Sequence, residues 1–244
     1  MLIDTHFHLD LLGNMESLIR EFRTADVGII AVGTTPKAFE RERQFCVNTR
    51  TINVGLGLHP QLMIEREHEI ELFLSLVTES RYIGEIGLDF NTDFIASKEQ
   101  QVSCFRKIAK ACADEGGKVL SIHSVKAART VIDELEIAGA FKNNICIFHW
   151  FTGSVSECKR AIEAGAYFSI NPRMVRTKSG QETIKTVPAD RILLETDAPF
   201  TIKIPNVNSL IEELQRLVEV ISEIHEESIE SQIIKTSSRI MECK

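Results

Sequence analysis

The 244-residue chain is poor in the features that mark many specialised protein classes. One Trp, two Tyr, six Pro and thirteen Gly put it far from fibrous, collagen-like or disordered compositions. Its six Cys (46, 104, 112, 146, 158 and 243) form no C-x-x-C pair and no tight cluster. That argues against a disulfide framework and predicts reduced thiols serving as small core residues. The longest apolar runs, such as Val27–Val32, are far too short to span a bilayer. With a strand pattern already under way at Leu2, no signal peptide is expected, and a cytosolic location is. Positive charge is also in short supply: 28 Lys/Arg against 35 Asp/Glu leave a formal charge of −7. Coating a duplex by charge alone runs on Lys/Arg neutralising phosphates, so an acidic chain is a poor candidate for that class. A single cleft where positive charge is concentrated, as metal ions, is not thereby excluded. Neither a Gly-x-x-x-x-Gly-Lys phosphate loop nor a Ser/Cys nucleophile elbow is present.

Present instead is a regular alternation. With 43% of residues in the apolar set and 26% charged, the chain can bury one sizeable core. Short β-branched runs occur at Leu2–His8, Val27–Gly33, Ile52–His59, Tyr82–Leu88, Lys118–His123, Ile145–His149, Ala166–Ile170 and Ile192–Asp197. Several are apolar on both faces, as strands of a covered parallel sheet are. Amphipathic stretches lie between them. Thr35-Pro36 opens a helix over Lys37–Asn48. Val102, Phe105, Ile108, Ala109 and Cys112 mark a helix that stops at Gly116-Gly117. Ser124 is expected to cap a helix that Gly139 ends. The run ends fall at His8, Gly33, His59, Glu85, His123, His149, Ile170 and Asp197, with gaps of 25, 26, 26, 38, 26, 21 and 27 residues. One strand, one helix and two short loops fill about that length. Eight such units predict an α/β fold, a closed (β/α)8 TIM barrel, with an open doubly wound sheet as the alternative. The long gap implies an extended loop around Asp89–Lys98 that could serve as a lid. Residues 206–241 read as two C-terminal helices. From residue 206 to the last, eight Glu stand against four Lys/Arg, −4 of the total. No linker divides the chain, so 1–244 is expected to be one domain.

Histidine is concentrated where such a barrel builds sites. His6, His8, His59, His123 and His149, five of seven, lie at or beside the C-terminal ends of strand runs, the end that carries active sites. His6 and His8, spaced i, i+2, point to one side of their strand, and a shared metal resolves the packing of two imidazoles there. Asp4 and Asp10 flank them, Asp10 as a loop or cap residue. Glu85 sits mid-strand in Gly-Glu-Ile-Gly-Leu-Asp, where an ionised carboxylate is costly unless paired or metal-bound; it is the candidate to bridge two cations. Asp89 could hold water or a loop. His123 and His149 end successive strands and complete a second set with Glu85. Asp197 ends the last run, next to the first strand in a closed barrel, within reach of the His6/His8 metal. Glu195 is a candidate partner for a ligating His. Four His and two carboxylates suit a two-metal hydrolytic site, where paired cations clamp a phosphate and activate water. No Lys stands where a carbamylated bridge would need one. The expected cofactor is therefore two divalent ions, Zn, Mg or Mn, a choice that mixed His/carboxylate donors leave open.

In order and spacing, Asp-Thr-His-Phe-His-Leu-Asp (4–10), Gly-Leu-His-Pro (57–60), Gly-Glu-Ile-Gly-Leu-Asp (84–89), Ile-His (122–123), His-Trp-Phe-Thr-Gly-Ser (149–154) and Glu-Thr-Asp-Ala-Pro (195–199) resemble the TatD family of metal-dependent nucleases. The resemblance covers about four-fifths of the chain. It implies a metal-dependent hydrolase barrel and removal of nucleotides from DNA. It places His6, His8, Glu85 and Asp197 on one metal, Glu85, His123 and His149 on the other, and His59 on the substrate phosphate. Two departures stand out. Val125 occupies a position where the family commonly has Arg. A basic, Pro-rich stretch after Ala-Pro is replaced by Phe200–Pro205, with Lys203 its only cation. A second similarity, over 34–38, 120–124 and 168–174, is to the TatD-like nucleases of Qat anti-phage defence systems, and it implies other defence proteins as partners.

On these grounds the expected activity is a metal-dependent deoxyribonuclease acting on single-stranded DNA or strand ends, with Asp197 and Glu85 as catalytic carboxylates, His59 as a catalytic and substrate-binding group, and no membrane association. The alternatives are a metal hydrolase of a small amide or ester, and a metal-binding scaffold subunit. Further expected substrate contacts are Trp150, which could stack on a base or pack at the rim, and Arg173 and Arg176, with Lys178, on the loop after the seventh strand. Lys37, Arg41 and Arg43 read as a solvated helix face. His68 and His225 read as surface residues.

Overall fold

The computed structural model describes residues 1–242. The eight β-branched runs form strands β1 Leu2–Phe7, β2 Val27–Ala31, β3 Ile52–Leu56, β4 Tyr82–Gly87, β5 Val119–His123, β6 Ile145–His149, β7 Tyr167–Ile170 and β8 Ile192–Leu194. Each pairs in parallel with the next, and β8 pairs back to β1 through Asp4 and Leu194, closing the barrel. The open-sheet alternative is thereby excluded. Around the strands lie α1 Met15–Phe22, α2 Pro36–Cys46, α3 Ile70–Leu76, α4 Lys98–Glu115, α5 Ala128–Ala138, α6 Val155–Glu163, α7 Lys178–Thr186, α8 Val207–His225 and α9 Glu230–Glu242. The last two are the C-terminal helices that the strand-free segment predicts. No helix among the described residues is long and apolar enough to cross a membrane.

Alternation along the strands sorts residues into two cores. Outward residues such as Phe7, Leu120, Ile122, Phe148 and Phe168 pack with the apolar stripes of the helices in one continuous cluster. Ile30, Tyr82, Val119, Ile147, Tyr167 and Leu193 form a separate cluster with Ile240 of α9; Tyr82, Val119 and Tyr167 are the first residues of their strands, and the cluster fills the base of the barrel. Two strands carry one extra residue. Between Asp4 and Phe7 β1 advances three positions while β2 advances two, and β4 does the same against β5 between Ile83 and Ile86. Such bulges re-aim side chains, and these two fall at His6 and Glu85.

Some local expectations change. Several strands stop short of the predicted ends, so His8, His59 and Asp197 stand just beyond them. The N-cap of α5 is Ala127, not Ser124. After β5 the chain first makes a turn in which Lys126 has φ +51°, and the Val125 carbonyl accepts from Phe90 N–H. The long fourth gap is spent largely on α4, of 18 residues. The loop before it is clamped rather than lid-like: Gln101 Nε2 donates to Asp89 O, Phe94 O and Ser97 Oγ, and Gln101 Oε1 accepts from Asp89 N–H at 2.7 Å. Cys46, Cys104, Cys112, Cys146 and Cys158 are buried free thiols; Cys243 lies outside the described residues. Lys37, Arg41 and Arg43 lie on the exposed side of α2, with Lys37 paired to Glu69 and Arg43 to Glu40. His68 is exposed. His225 is half-buried at the end of α8, with no hydrogen-bond partner at Nε2, so it is not the surface residue expected.

Candidate metal centre

The predicted residues converge at the C-terminal mouth of the barrel. A cavity of about 490 Å³ there is lined by His8, His59, Glu85, His123, His149 and Asp197, among others. Local backbone chemistry brings them in. Asp197 N–H donates to His6 O and His8 N–H to Ala198 O, so strand-like pairing of the two chain segments continues beyond β8 and carries Asp197 alongside both histidines. Asp4 does not join the centre; its oxygens accept from His6 N–H and from the amide and hydroxyl of Thr196. Close packing of β4 on β5 fixes Glu85. A Cβ on Gly84 would come 2.8 Å from Ser121 Cβ, and one on Gly87, at φ +132°, would come 2.1 Å from His123 O.

The two oxygens of Glu85 face different partners. Glu85 Oε2 lies 3.4 Å from His6 Nε2 and 3.3 Å from His8 Nε2, which are 3.2 Å apart. Asp197 Oδ1 stands 3.7 and 3.4 Å from the same two nitrogens. Glu85 Oε1 lies 2.6 Å from His123 Nδ1 and 2.9 Å from His149 Nε2, with those nitrogens 3.3 Å apart. The His6 and His149 rings stack at 3.8 Å. Ligand atoms about 2.0–2.1 Å from a tetrahedral divalent cation are about 3.3–3.4 Å from one another. The spacing and the N/O donor chemistry on the Oε2 side fit a metal ion among His6, His8 and Glu85, whereas on the Oε1 side His123 and His149 stand at hydrogen-bond distance from the carboxylate.

Partners behind the imidazoles select which nitrogen faces inward. His6 Nδ1 is 2.7 Å from Ser121 Oγ, and His123 Nε2 is 2.9 Å from Asp89 Oδ2. His149 Nδ1 is 3.8 Å from Glu195 Oε1. Backing of this kind orients ligating histidines. His59 is the exception. It falls in a compact group with Glu85 and His123, but its Nδ1 accepts from Gln61 N–H. In the neutral ring Nε2 then carries the proton, directed at Glu85 Oε2 3.1 Å away. With that proton in place His59 faces Glu85 as a hydrogen-bond donor.

The buried carboxylates and imidazoles shift one another's protonation. Burial works against the Glu85 carboxylate, but the rings of His59, His149 and His6 and the bond to His123 hold it well below the usual range. Burial also opposes protonation of His8, yet Asp197 and Glu85 lift it to about 9. His149 is raised well above its ordinary value against burial, by Glu85 and Glu195. Burial lowers His59 and, with His149, His6.

The remaining predicted contacts divide. Trp150 and Arg173 line the cavity; Arg176 and Lys178 are exposed and do not. Val125 lines it too, so the departure from the family's Arg leaves an apolar wall there. Lys203 is exposed and outside the cavity wall. Sequence reasoning missed Ser121 and the full part of Asp89, which also accepts from Gln61 Nε2 at 2.8 Å, and it did not single out Phe200. Ser121, two positions before His123 on the same strand face, was findable by alternation. The hydrogen bonds of Asp89 depend on how its loop folds.

A model of the family described as TatD related DNase matches residues 3–241. The chain is 30% identical over 216 residues to the putative deoxyribonuclease TATDN3 of Mus musculus, covering 81% of this chain and 72% of that one. It is 31% identical over 199 residues to the 3′-5′ ssDNA/RNA exonuclease TatD of Erwinia tasmaniensis, covering 76% and 73%. The crystal structure of YJJV, a TatD homologue from Escherichia coli K12, superposes with a TM-score of 0.83 at 22% identity, over 98% of this chain and 97% of that one; at that identity the likeness speaks for the fold. The chain belongs to the TatD related DNase family.

Proposed function

We propose that this protein is a metal-dependent phosphodiesterase that removes nucleotides from the ends of single DNA strands, using a binuclear centre. His6, His8, Glu85 and Asp197 would hold one cation, and Glu85, His123 and His149 the other. The observation that carries this reading is the division of Glu85, with one oxygen towards His6 and His8 and the other towards His123 and His149. When bound, the two cations supply Lewis-acid charge to the scissile phosphate and make water more acidic. The chain's own groups do the rest. Asp197 orients the attacking water and takes its proton as the water oxygen bonds to phosphorus, while the opposite P–O bond breaks and its oxygen takes a proton from solvent water. His59 Nε2–H, held by Gln61, donates to a phosphate oxygen at the same mouth. Arg173 and Trp150 contact the strand from the cavity wall. Arg176, outside the cavity, reaches only phosphates farther along. Support for single strands comes from the confined mouth and from the Erwinia relative, described as acting on ssDNA and RNA.

The test is hydrolysis of 3′- and 5′-labelled single-stranded DNA, beside RNA, with Mg²⁺, Mn²⁺ or Zn²⁺. Turnover is expected to need metal and to fall by roughly 10²–10⁴-fold in Glu85→Ala and Asp197→Asn. Turnover that survives both substitutions overturns the mechanism. A place among Qat-type defence proteins rests on the three similar segments and the short Phe200–Pro205 stretch. Phage protection lost in Glu85→Ala supports it as a nuclease, whereas equal protection favours a scaffold.

A further inference from the structure

Three residues at the mouth belong to loops after three different strands, and Arg173 touches both of the others. Trp150 follows β6, Arg173 follows β7 and Phe200 follows β8, and all three line the cavity that holds the histidines. The Arg173 guanidinium carbon lies 5.5 Å from the centre of the Trp150 ring, and Arg173 Nη2 donates to Phe200 O at 3.0 Å. The Phe200 ring meets the His8 ring edge-on at 5.1 Å yet remains 54% exposed. A flat, partly cationic surface and an uncovered aromatic ring therefore stand beside the candidate ligands.

The backbone is arranged to present this surface. Trp150 has φ +37°, uncommon for a bulky residue and a mark of a conformation imposed by its surroundings. Its neighbours explain the imposition: His149 points into the centre, while Phe151 is buried against Phe148 and Phe168 in the outer core. The turn between them swings the indole to the cavity. Glu195 holds that turn, accepting from Trp150 N–H at 3.0 Å. It also accepts from Asn171 Nδ2 at 2.9 Å, and Asn171 Oδ1 in turn accepts from Arg173 N–H. One buried carboxylate thus sets the backbone under both partners.

We propose that Trp150, Arg173 and Phe200 form a subsite for one unpaired base of the strand whose phosphate reaches the histidine cluster. The inference rests on the phosphodiesterase reading above and adds how an end is recognised. Every base offers a π face to an aromatic ring or a guanidinium plane, so such a surface tolerates any sequence. A base inside a duplex has its faces covered by its neighbours and its edge held by its partner. It must leave the stack to enter, so the subsite favours frayed or single-stranded ends. Arg173 ties the three loops together and keeps the aromatic surfaces at a fixed spacing.

The experiment compares a short oligothymidylate with the same chain carrying abasic residues at both termini, by anisotropy of a dye-labelled strand and by cleavage. Trp150 is the only Trp, so quenching of its fluorescence gives a second binding readout that needs no metal or turnover. The wild type is expected to bind the base-bearing chain about tenfold or more tightly, with quenching by that chain alone. Trp150→Ala and Phe200→Ala should each bring the ratio close to one, while Trp150→Phe, which keeps a ring, should retain most of it. Equal binding of the two chains by the wild type, or a ratio that persists in both alanine variants, overturns the subsite. Equal cleavage of both chains would sink the subsite and leave the nuclease intact. Base-dependent binding without hydrolysis under any metal would do the reverse.

Discussion

The two ends of the barrel interior are built from the same strands and obey opposite rules. At the base, Tyr82, Val119, Ile147, Tyr167 and Leu193 close on Ile240 of α9 in an apolar plug. Towards the mouth, the same alternation turns polar. Val119 gives way to Ser121 and His123, Ile147 to His149, Tyr167 to Ser169 and Asn171, and Leu193 to Glu195 and Asp197. Burial is complete at both ends, so exposure does not distinguish them; pairing does. At the base dispersion and loss of hydrated apolar surface hold the residues. At the mouth most buried polar atoms face another, although His8 Nδ1 and His149 Nδ1 have no hydrogen-bond partner. The lesson is a division of labour along one axis, in which stability is concentrated below and chemistry above.

The sharpest way to break that contrast is Glu85→Gln. Losing the shared carboxylate charge should cut turnover by roughly 10²–10⁴-fold and reduce bound metal measured by elemental analysis. Full metal content with full activity would mean that the mouth does not depend on its pairing. At the other end, Leu193→Ala should cost about 2–5 kcal/mol, a fall in Tm of about 5–15 °C, while kcat/KM per folded molecule stays at the wild-type value. An activity loss without a melting change would erase the division. Between these extremes lies Asp89→Asn, which weakens the backing of His123; metal affinity in a chelator competition should drop about 10–100-fold. An unchanged affinity would reduce Asp89 to a loop residue.

The smallest effect sharpens what pairing means. Glu42, buried in α2, has no hydrogen-bond partner on either carboxylate oxygen, and burial, reinforced by Asp10, pushes it up to about 8. The unfolded chain releases this proton near the ordinary value of 4.5. Between those values the folded state binds more protons, so stability contributed at low pH is lost as pH rises to about 8. Glu42→Gln should lack that slope and melt about 2–4 °C above the wild type at pH 8 or higher. Parallel melting curves for the two proteins across this pH range would count against it.

Much of this was legible in residue order. β-branched runs at near-constant spacing predict the barrel, and the polar ends of those runs predict the six candidate ligands, because alternation fixes which side chains share a face. The bulges at His6 and Glu85 were not legible, since an extra residue between paired strands is a relation between two segments. Ser124 read as a cap because its residue type suits one, but the turn at Lys126 delays the helix. Arg176 read as a mouth residue from its place after β7; the turn that puts Arg173 on Trp150 leaves Arg176 outside. The partnering of Gln61, Asp89 and Gln101 depends on loops folding against one another, and no local pattern announces that.

The hydrogen bond that Asp197 N–H donates to His6 O has a consequence in time. β1 is made before β8, and Asp197, the candidate that faces its two histidines, follows His6 by 191 positions. Until that segment arrives, β1 has neither its β8 neighbour nor the α9 helix packed against it. His6 and His8 are therefore without the candidate carboxylate that faces them until the intervening strands have been made. Because its candidate ligands come from both ends of the strand order, a centre that holds all of them is itself a report that the barrel has closed.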